Sequence, residues 1–341
     1  MASSMDSCLQ LVVAVVFLLV FSVKSLKPNE LRPSSIIKKV NAGGPYIGLI
    51  SVYSREEDAF FSTGGFKPNP KHPYVDLSGR RFRFGKIHGK PVIYVRCGIG
   101  MVNAAAATQQ MVDLFDIVGI VHFGIAGNLN NSMSIGDVVV LKQVANTGIW
   151  DWMKVNGTLE LNSIAHLDFG TYNVPKGNET NLLGRISFRP EDFHSESKNP
   201  NTSIQLIWAQ ITPKWLQLAT LLEGMKLKKC VNSSLCLPQE PKLVVGLNGS
   251  TANIFVDNGV YRDFLFRNFN VTTTDMETSA IAMTCLSNGY PVIVIRGLSD
   301  LAGAQTGKSA IDTFGSLAAL NTANVVLKFI RMLPLNYYLY Y

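Results

Sequence analysis

Pro91 to Cys97 (PVIYVRC) is an apolar run that breaks at Gly98-Ile99-Gly100 and passes into Met101 to Phe115 (MVNAAAATQQMVDLF), whose apolar residues fall at helical spacing. Variants of this strand–glycine–helix unit recur along the chain. Tyr46 to Tyr53, Ile117 to Phe123, Ile135 to Leu141, Lys242 to Gly246 and Pro291 to Arg296 read as strands, and Asp275 to Leu286 and Asp312 to Met332 as helices. Runs without polar alternation belong to strands buried on both faces, so the sheet needs helices on each side, which is an α/β fold. Composition agrees. With 47% of 341 residues apolar and 16% charged, the chain has the apolar surface to offset the entropy of ordering, which excludes a disordered protein. No fixed repeat marks a solenoid or propeller, so one domain, or two at most, is expected.

The ends and the middle differ from this pattern. Leu9 to Val23 (LQLVVAVVFLLVFSV) is short for a bilayer span of ~20 residues but suits a secretory signal, with cleavage expected after Ser25 and an uncleaved anchor as the alternative. Residues 26–45 read as a linker, 46–333 as the domain and 334–341 as a tail. Residues 150–241 form an elaborated excursion, with Ile204 to Leu222 expected as its helix. Sequons at Asn130, Asn156, Asn178, Asn201, Asn232, Asn248 and Asn270 fit a glycoprotein of the secretory pathway, extracellular or vacuolar. Cys230 and Cys236 flank a polar loop and are expected to close a small disulfide, whereas Cys97 and Cys285 lie in apolar runs as packed thiols. The five histidines are scattered and no cysteine pair has zinc spacing, so no metal is expected. A net charge of +7, spread along the chain, does not mark a nucleic-acid binder, and no membrane contact is expected once the signal is removed.

In α/β sheets ligands gather at the carboxyl ends of strands, so the segments after each strand are the candidates. They are Ser54-Arg55-Glu56-Glu57-Asp58, Gly98 to Ala105 (GIGMVNAA), Gly124 to Asn128 (GIAGN), Thr274 to Glu277 and Gly297 to Asp300. Each also has a structural explanation: acids at a helix start, a strand-to-helix turn, an Asp275 N-cap, a core Met276, a turn at Asp300. GIGMVNAA lacks both the Walker lysine and the dinucleotide fingerprint, and no G-x-S-x-G elbow is present.

In order, IGLI, the acidic stretch, GIGMVNAA, GIAGN, IGDVVV, DMETSAIA and IRGLSD resemble the purine nucleoside phosphorylase and methylthioadenosine/adenosylhomocysteine nucleosidase superfamily, from about Tyr46 to Leu333. With the signal, the chain is most similar to the plant bark or vegetative storage protein group. The resemblance implies a single three-layer domain with a mixed, twisted central sheet flanked by helices, a purine nucleoside as ligand, a homo-oligomer, and no cofactor, with phosphate as an optional co-substrate. It implies that Asp300 is the acid at the base, oriented by Ser299; that Glu277 holds the ribose hydroxyls with Met276 against the sugar; and that Glu56 activates water. Gly100, Gly124, Ile125 and Ala126 border the ligand, and Asn253 or Phe255 falls near the base-stacking position. Two departures bear on activity. Ile125 stands where relatives commonly carry Ser or Thr, and His122 where some phosphorylases place an arginine for phosphate. A phosphate then loses charge-assisted bonds of about 1.5–3 kcal/mol each unless Arg55, Arg96 or His122 replaces them. Two functions stay open: cleavage of a purine nucleoside, such as a cytokinin riboside, or a storage protein that keeps the fold with reduced turnover.

Overall fold

In the computed structural model, which describes residues 33–153, 163–168 and 185–334, the apolar runs assemble into one mixed sheet. The chain begins with α1 (Pro33–Asn41), β1 (Tyr46–Ser51), α2 (Ser54–Ser62), β2 (Lys67–Pro68), β3 (Tyr74–Leu77), β4 (Arg80–Ile87), β5 (Lys90–Arg96), α3 (Met101–Leu114), β6 (Ile117–Asn128) and β7 (Val138–Asn146). The middle carries β8 (Trp150–Trp152), β9 (His166–Asp168), β10 (Arg185–Phe188), β11 (Glu191–Phe193), β12 (Ile204–Leu206), β13 (Ala209–Gln210), α4 (Pro213–Thr220), β14 (Cys230–Asn232) and β15 (Leu235–Cys236). The chain then returns to the sheet through β16 (Leu243–Thr251), α5 (Gly259–Phe269), β17 (Thr273–Asp275), α6 (Thr278–Ser287), β18 (Val292–Asp300) and α7 (Ile311–Met332).

β1 lies parallel between β5 and β6, and β6 lies parallel to β18. β18 runs antiparallel to β7, β7 pairs with β16, β16 with β17, and β17 with β6, so five strands pair in a closed circuit. Beyond β5, the antiparallel strand β4 extends the sheet toward β2 and β3. The buried runs explain this order. Every residue of β1 and of β18 is buried, and Ile47, Leu49, Val92, Val95, Val121 and Ile295 form the centre of the core with Val326 and Phe329 from α7. Each such side chain contributes about 1.5–3 kcal/mol on burial. Because β1, β5, β6 and β18 are parallel, their carboxyl ends emerge together.

Several expectations change. GIAG and GLSD, expected as loops, are the last residues of β6 and β18: strand pairing continues through Gly297↔Ile125 and Leu298↔Ala126. The expected helix over Ile204 to Leu222 is confined to α4, because Pro213 occupies its first turn and Ile204–Leu206 pairs with Glu191–Phe193. Residues 33–41, expected within a linker, form α1. The helix expected from Asp275 starts at Thr278, since Thr273–Asp275 belongs to the sheet. Cys230 and Cys236 are joined, and Cys97 and Cys285 are free and buried. Asn201, Asn232 and Asn270 are exposed, Asn130 and Asn248 half-buried, and Asn156, Asn178 and the signal lie outside the described residues.

Candidate active site

Arg296, near the middle of β18, is fully buried and organises the acids around it. Its Nε lies 3.1 Å from Asp275 Oδ2 and its Nη2 lies 3.8 Å from Glu277 Oε2. The same Nη2 donates to Thr278 Oγ1 at 2.7 Å and to His122 Nε2 at 2.5 Å. Since Arg only donates and Ile50 O only accepts, His122 is the neutral tautomer with its hydrogen on Nδ1, 3.0 Å from that carbonyl. Burial, then the adjacent guanidinium, push the His122 pKa down to about 3. A buried charge needs such partners, because an unpaired one is costly to desolvate.

Each acid has its own setting. Asp275, expected as an N-cap, instead ends β17 two residues before Glu277, the N-cap of α6, and accepts from the amides of Glu277 and Thr278 at 3.0 and 2.9 Å and from Thr251 Oγ1 at 2.8 Å. Burial acts to raise its pKa, but Arg296 and Thr278 prevail and hold it below the ordinary aspartate value. Glu277 Oε1 accepts from the amide of Gly100 at 2.8 Å, where a φ of 98° suits glycine. Burial raises Glu277 to about 7 despite Arg296. Glu56, in the first turn of α2, accepts from the amides of Val52 at 2.7 Å, Tyr53 at 3.4 Å and Ile125 at 2.8 Å, yet burial still raises its pKa. A Cβ at Gly124 would stand 2.3 Å from Glu56 Oε1 and 2.4 Å from Arg296 Nη1, so only glycine leaves room for both groups.

Asp300 closes β18 and is 3% exposed. Its Oδ1 lies 2.7 Å from Ser299 Oγ, and its Oδ2 accepts from the Ala302 amide at 2.9 Å. Burial outweighs both bonds and raises its pKa. These strand ends border a cavity of about 230 Å³. Of the residues singled out from the sequence, Glu56, Ile125, Ala126, Phe255, Met276, Glu277, Ser299 and Asp300 line it. Gly100, Gly124 and Asn253 stand behind the lining: Gly100 and Gly124 serve Glu277 and Glu56, and Asn253 Oδ1 accepts from the Met101 amide at 3.0 Å. Phe255 rather than Asn253 therefore faces the ligand space. Ile125 packs with Ala318 and Ala319 of α7 and leaves the cavity open.

Of the three cations weighed for phosphate, His122 is buried behind Arg296, and Arg96 pairs with Glu57 at 2.9 Å away from the cavity. Arg55 does line it, held by the Ile311 carbonyl and by Asp312 at 3.6 Å. Sequence reasoning passed over Arg296, Tyr53, Ile311 and Asp312 as site residues. For Arg296 the available signal was an arginine inside an otherwise apolar strand, where an unpaired charge is not tolerated.

The mixed sheet, the helices that cover it and the acid-lined pocket at its strand ends define an α/β protein with a small-molecule site. The chain belongs to the Phosphorylase superfamily, which it matches over residues 46–331. It is 34% identical over 315 residues to bark storage protein A of Populus deltoides, covering 91% of this chain and 97% of that one. It is 27% identical over 253 residues to a 5'-methylthioadenosine/S-adenosylhomocysteine nucleosidase of Halalkalibacterium halodurans, covering 74% and 85%. Among solved structures, the corresponding Helicobacter pylori nucleosidase with butyl-thio-DADMe-Immucillin-A shares the fold with a TM-score of 0.59 at 19% identity, covering 84% of this chain and 98% of that one. The Colwellia psychrerythraea nucleosidase in complex with adenine has a TM-score of 0.58 at 22% identity, covering 84% and 95%.

Proposed function

We propose that the chain cleaves the N-glycosidic bond of a purine nucleoside with water as acceptor. The observation that carries this reading is the Asp300–Ser299 pair. Ser299 has one hydroxyl hydrogen but two oxygens in reach, Asp300 Oδ1 at 2.7 Å and Ala126 O at 3.3 Å. A protonated Asp300 satisfies all of them: it donates to Ser299 Oγ, which donates to Ala126 O. Burial favours that same neutral form.

Breaking the bond leaves electrons on the base and positive charge on the ribose. Asp300 gives its proton to purine N7 as C1′–N9 breaks. Ser299 then turns its hydrogen to the new carboxylate, whose other oxygen the Ala302 amide already holds. Glu277, with one oxygen on the Gly100 amide, accepts from the 2′ and 3′ hydroxyls and faces the cationic sugar. Met276 packs against that sugar and Phe255 against the base. Glu56 takes the proton of the water that bonds to C1′, so the products are free purine and ribose. Water is favoured over phosphate because Glu56, Asp275, Glu277, Asp300 and Asp312 line the cavity and Arg55, already paired with Asp312, is its one lining cation among the described residues. The exposed sequons and the joined Cys230–Cys236 pair support passage through the secretory pathway.

The second reading, a storage protein with reduced turnover, draws on the identity to bark storage protein A and on Ile125 in the pocket wall. Incubating purified protein with adenosine, inosine, 5′-methylthioadenosine and isopentenyladenosine, with and without phosphate, separates them by chromatography of free base. Release without phosphate is expected. Release only with phosphate overturns the choice of water, and no release from any nucleoside favours storage.

A further inference from the structure

Five of the sequon asparagines lie among the described residues, and they differ in what the side-chain nitrogen does. N-glycosylation replaces one hydrogen of Nδ2 with a sugar ring, so the folded protein must leave open space at that atom. Exposure of the residue and the bonds of its Nδ2 therefore decide which sites a folded chain can carry.

Asn130 and Asn248 fail on both counts. Asn130 is half-buried, and its Nδ2 donates at 3.3 Å to the hydroxyl of Thr272, a residue only 3% exposed. Asn248 is half-buried within β16, opposite Gln143. Its Nδ2 donates to the Asn270 carbonyl at 3.1 Å, and its Oδ1 is enclosed. A sugar on either nitrogen would displace the segment 270–272 that both side chains hold. Copies modified there before folding could not close around that segment.

Asn201, Asn232 and Asn270 are exposed, and the Nδ2 of each has no hydrogen-bond partner among the described residues. Asn232 stands on the loop between β14 and β15, closed at its base by the Cys230–Cys236 disulfide. Its Oδ1 accepts from the Ser234 amide and hydroxyl, each at 3.0 Å, and from the Leu235 amide at 2.9 Å, which leaves Nδ2 as the unbonded end of the carboxamide. Asn270 is the left-handed residue that ends α5, and Asn201 is a left-handed turn residue followed by exposed Thr202 and Ser203. Asparagine tolerates that conformation without a tertiary bond.

We propose that Asn201, Asn232 and Asn270 carry N-linked glycans and that Asn130 and Asn248 stay bare. The assignment rests on passage through the secretory pathway and is independent of nucleoside turnover. The donor is an oligosaccharide joined to a lipid pyrophosphate. Nδ2 bonds to the sugar C1 as the bond from C1 to the pyrophosphate oxygen breaks; the pyrophosphate leaves with the electron pair and the amide proton passes to solvent. None of the three asparagines lines the cavity, so the attachment points leave the pocket clear.

The test is site-by-site occupancy of the full chain, expressed with its own amino-terminal segment in plant cells and purified as soluble protein. Peptide-N-glycosidase in heavy-oxygen water converts each glycosylated asparagine to a labelled aspartate, which peptide mass spectrometry locates. Label is expected in most copies at Asn201, Asn232 and Asn270 and at neither Asn130 nor Asn248. Asn232→Gln should lose the mass of one glycan and keep the wild-type melting temperature. Label at Asn130 or Asn248 matching the exposed sites overturns the selection, and any of the three left unlabelled overturns the assignment there. A processed amino terminus with all three unlabelled overturns the proposal and leaves the secretory reading standing. An intact amino terminus with no label at any sequon overturns both.

Discussion

Asp300 and Glu277 are both acids raised by burial, yet their proposed tasks need opposite protonation states. Asp300 must carry a proton to give, and removing it by Asp300→Asn should lower turnover by about 10²- to 10⁴-fold, the usual share of general acid catalysis. Asparagine keeps the shape, and its amide can meet Ser299 Oγ, so circular dichroism and the melting temperature should change little. Unchanged rates would remove Asp300 from the acid role. Glu277 has a consequence for stability. Its folded pKa of about 7 lies above the unfolded value near 4.5, so the folded state holds the proton more tightly. The contribution is complete below about pH 4.5 and is lost as pH rises through about 7. Wild type should therefore lose stability relative to Glu277→Gln across that window, measured as the difference of their melting temperatures. The other titrating groups are common to both proteins and largely cancel; a flat difference would contradict the raised value.

The strands that bring these residues together explain what could be read in the sequence. The apolar runs at Ile47, Val92, Ile120 and Ile293 were legible because both faces of each strand are buried, which leaves no polar alternation to blur them. The glycine and acid motifs were legible as sites because they end parallel strands. Their conformation was not. GIAG and GLSD look like turns in composition, but each finds a partner across the β6–β18 ladder that only the tertiary fold supplies. The same holds for Arg296, whose importance comes from Asp275, Glu277 and His122 on other strands and helices. The excursion was harder because its short strands are specified by pairing with distant partners rather than by local periodicity. Gly297 offers a test at this scale. A Cβ there would lie 2.4 Å from Thr322 Oγ1 and 2.5 Å from the Ala318 carbonyl, so α7 sits on β18 at glycine distance. Gly297→Ala should push α7 off the sheet and cost about 1–3 kcal/mol, as overpacking does. Urea unfolding would measure it. Because Ile125 packs between that helix and the cavity, the variant should also raise KM; full stability would mean that the helix has room to move.

The molecule as a whole carries +7, while the pocket concentrates carboxylates. The two scales act differently on a charged ligand. The surface charge is spread and screened within about 8 Å at physiological salt, so it draws anions to the protein only weakly. Glu56 faces the cavity from a buried position, where the effective dielectric is low, whereas Asp312 pairs with Arg55 at the exposed rim. A 5′-phosphate would bring up to two negative charges toward Asp312 and Glu56 without a free cation lining the described cavity to meet them. Adenosine 5′-monophosphate should thus compete with adenosine at least about tenfold less well than an uncharged analogue, the gap expected from about 1.4 kcal/mol of repulsion. Raising the salt should narrow the gap in part, because the exposed Asp312 is screened while the buried Glu56 is not. Competition as strong as that of the uncharged analogue would mean that Arg55 leaves Asp312 for the phosphate. That outcome would reopen phosphorolysis, since the same arginine would then be available to an anionic acceptor.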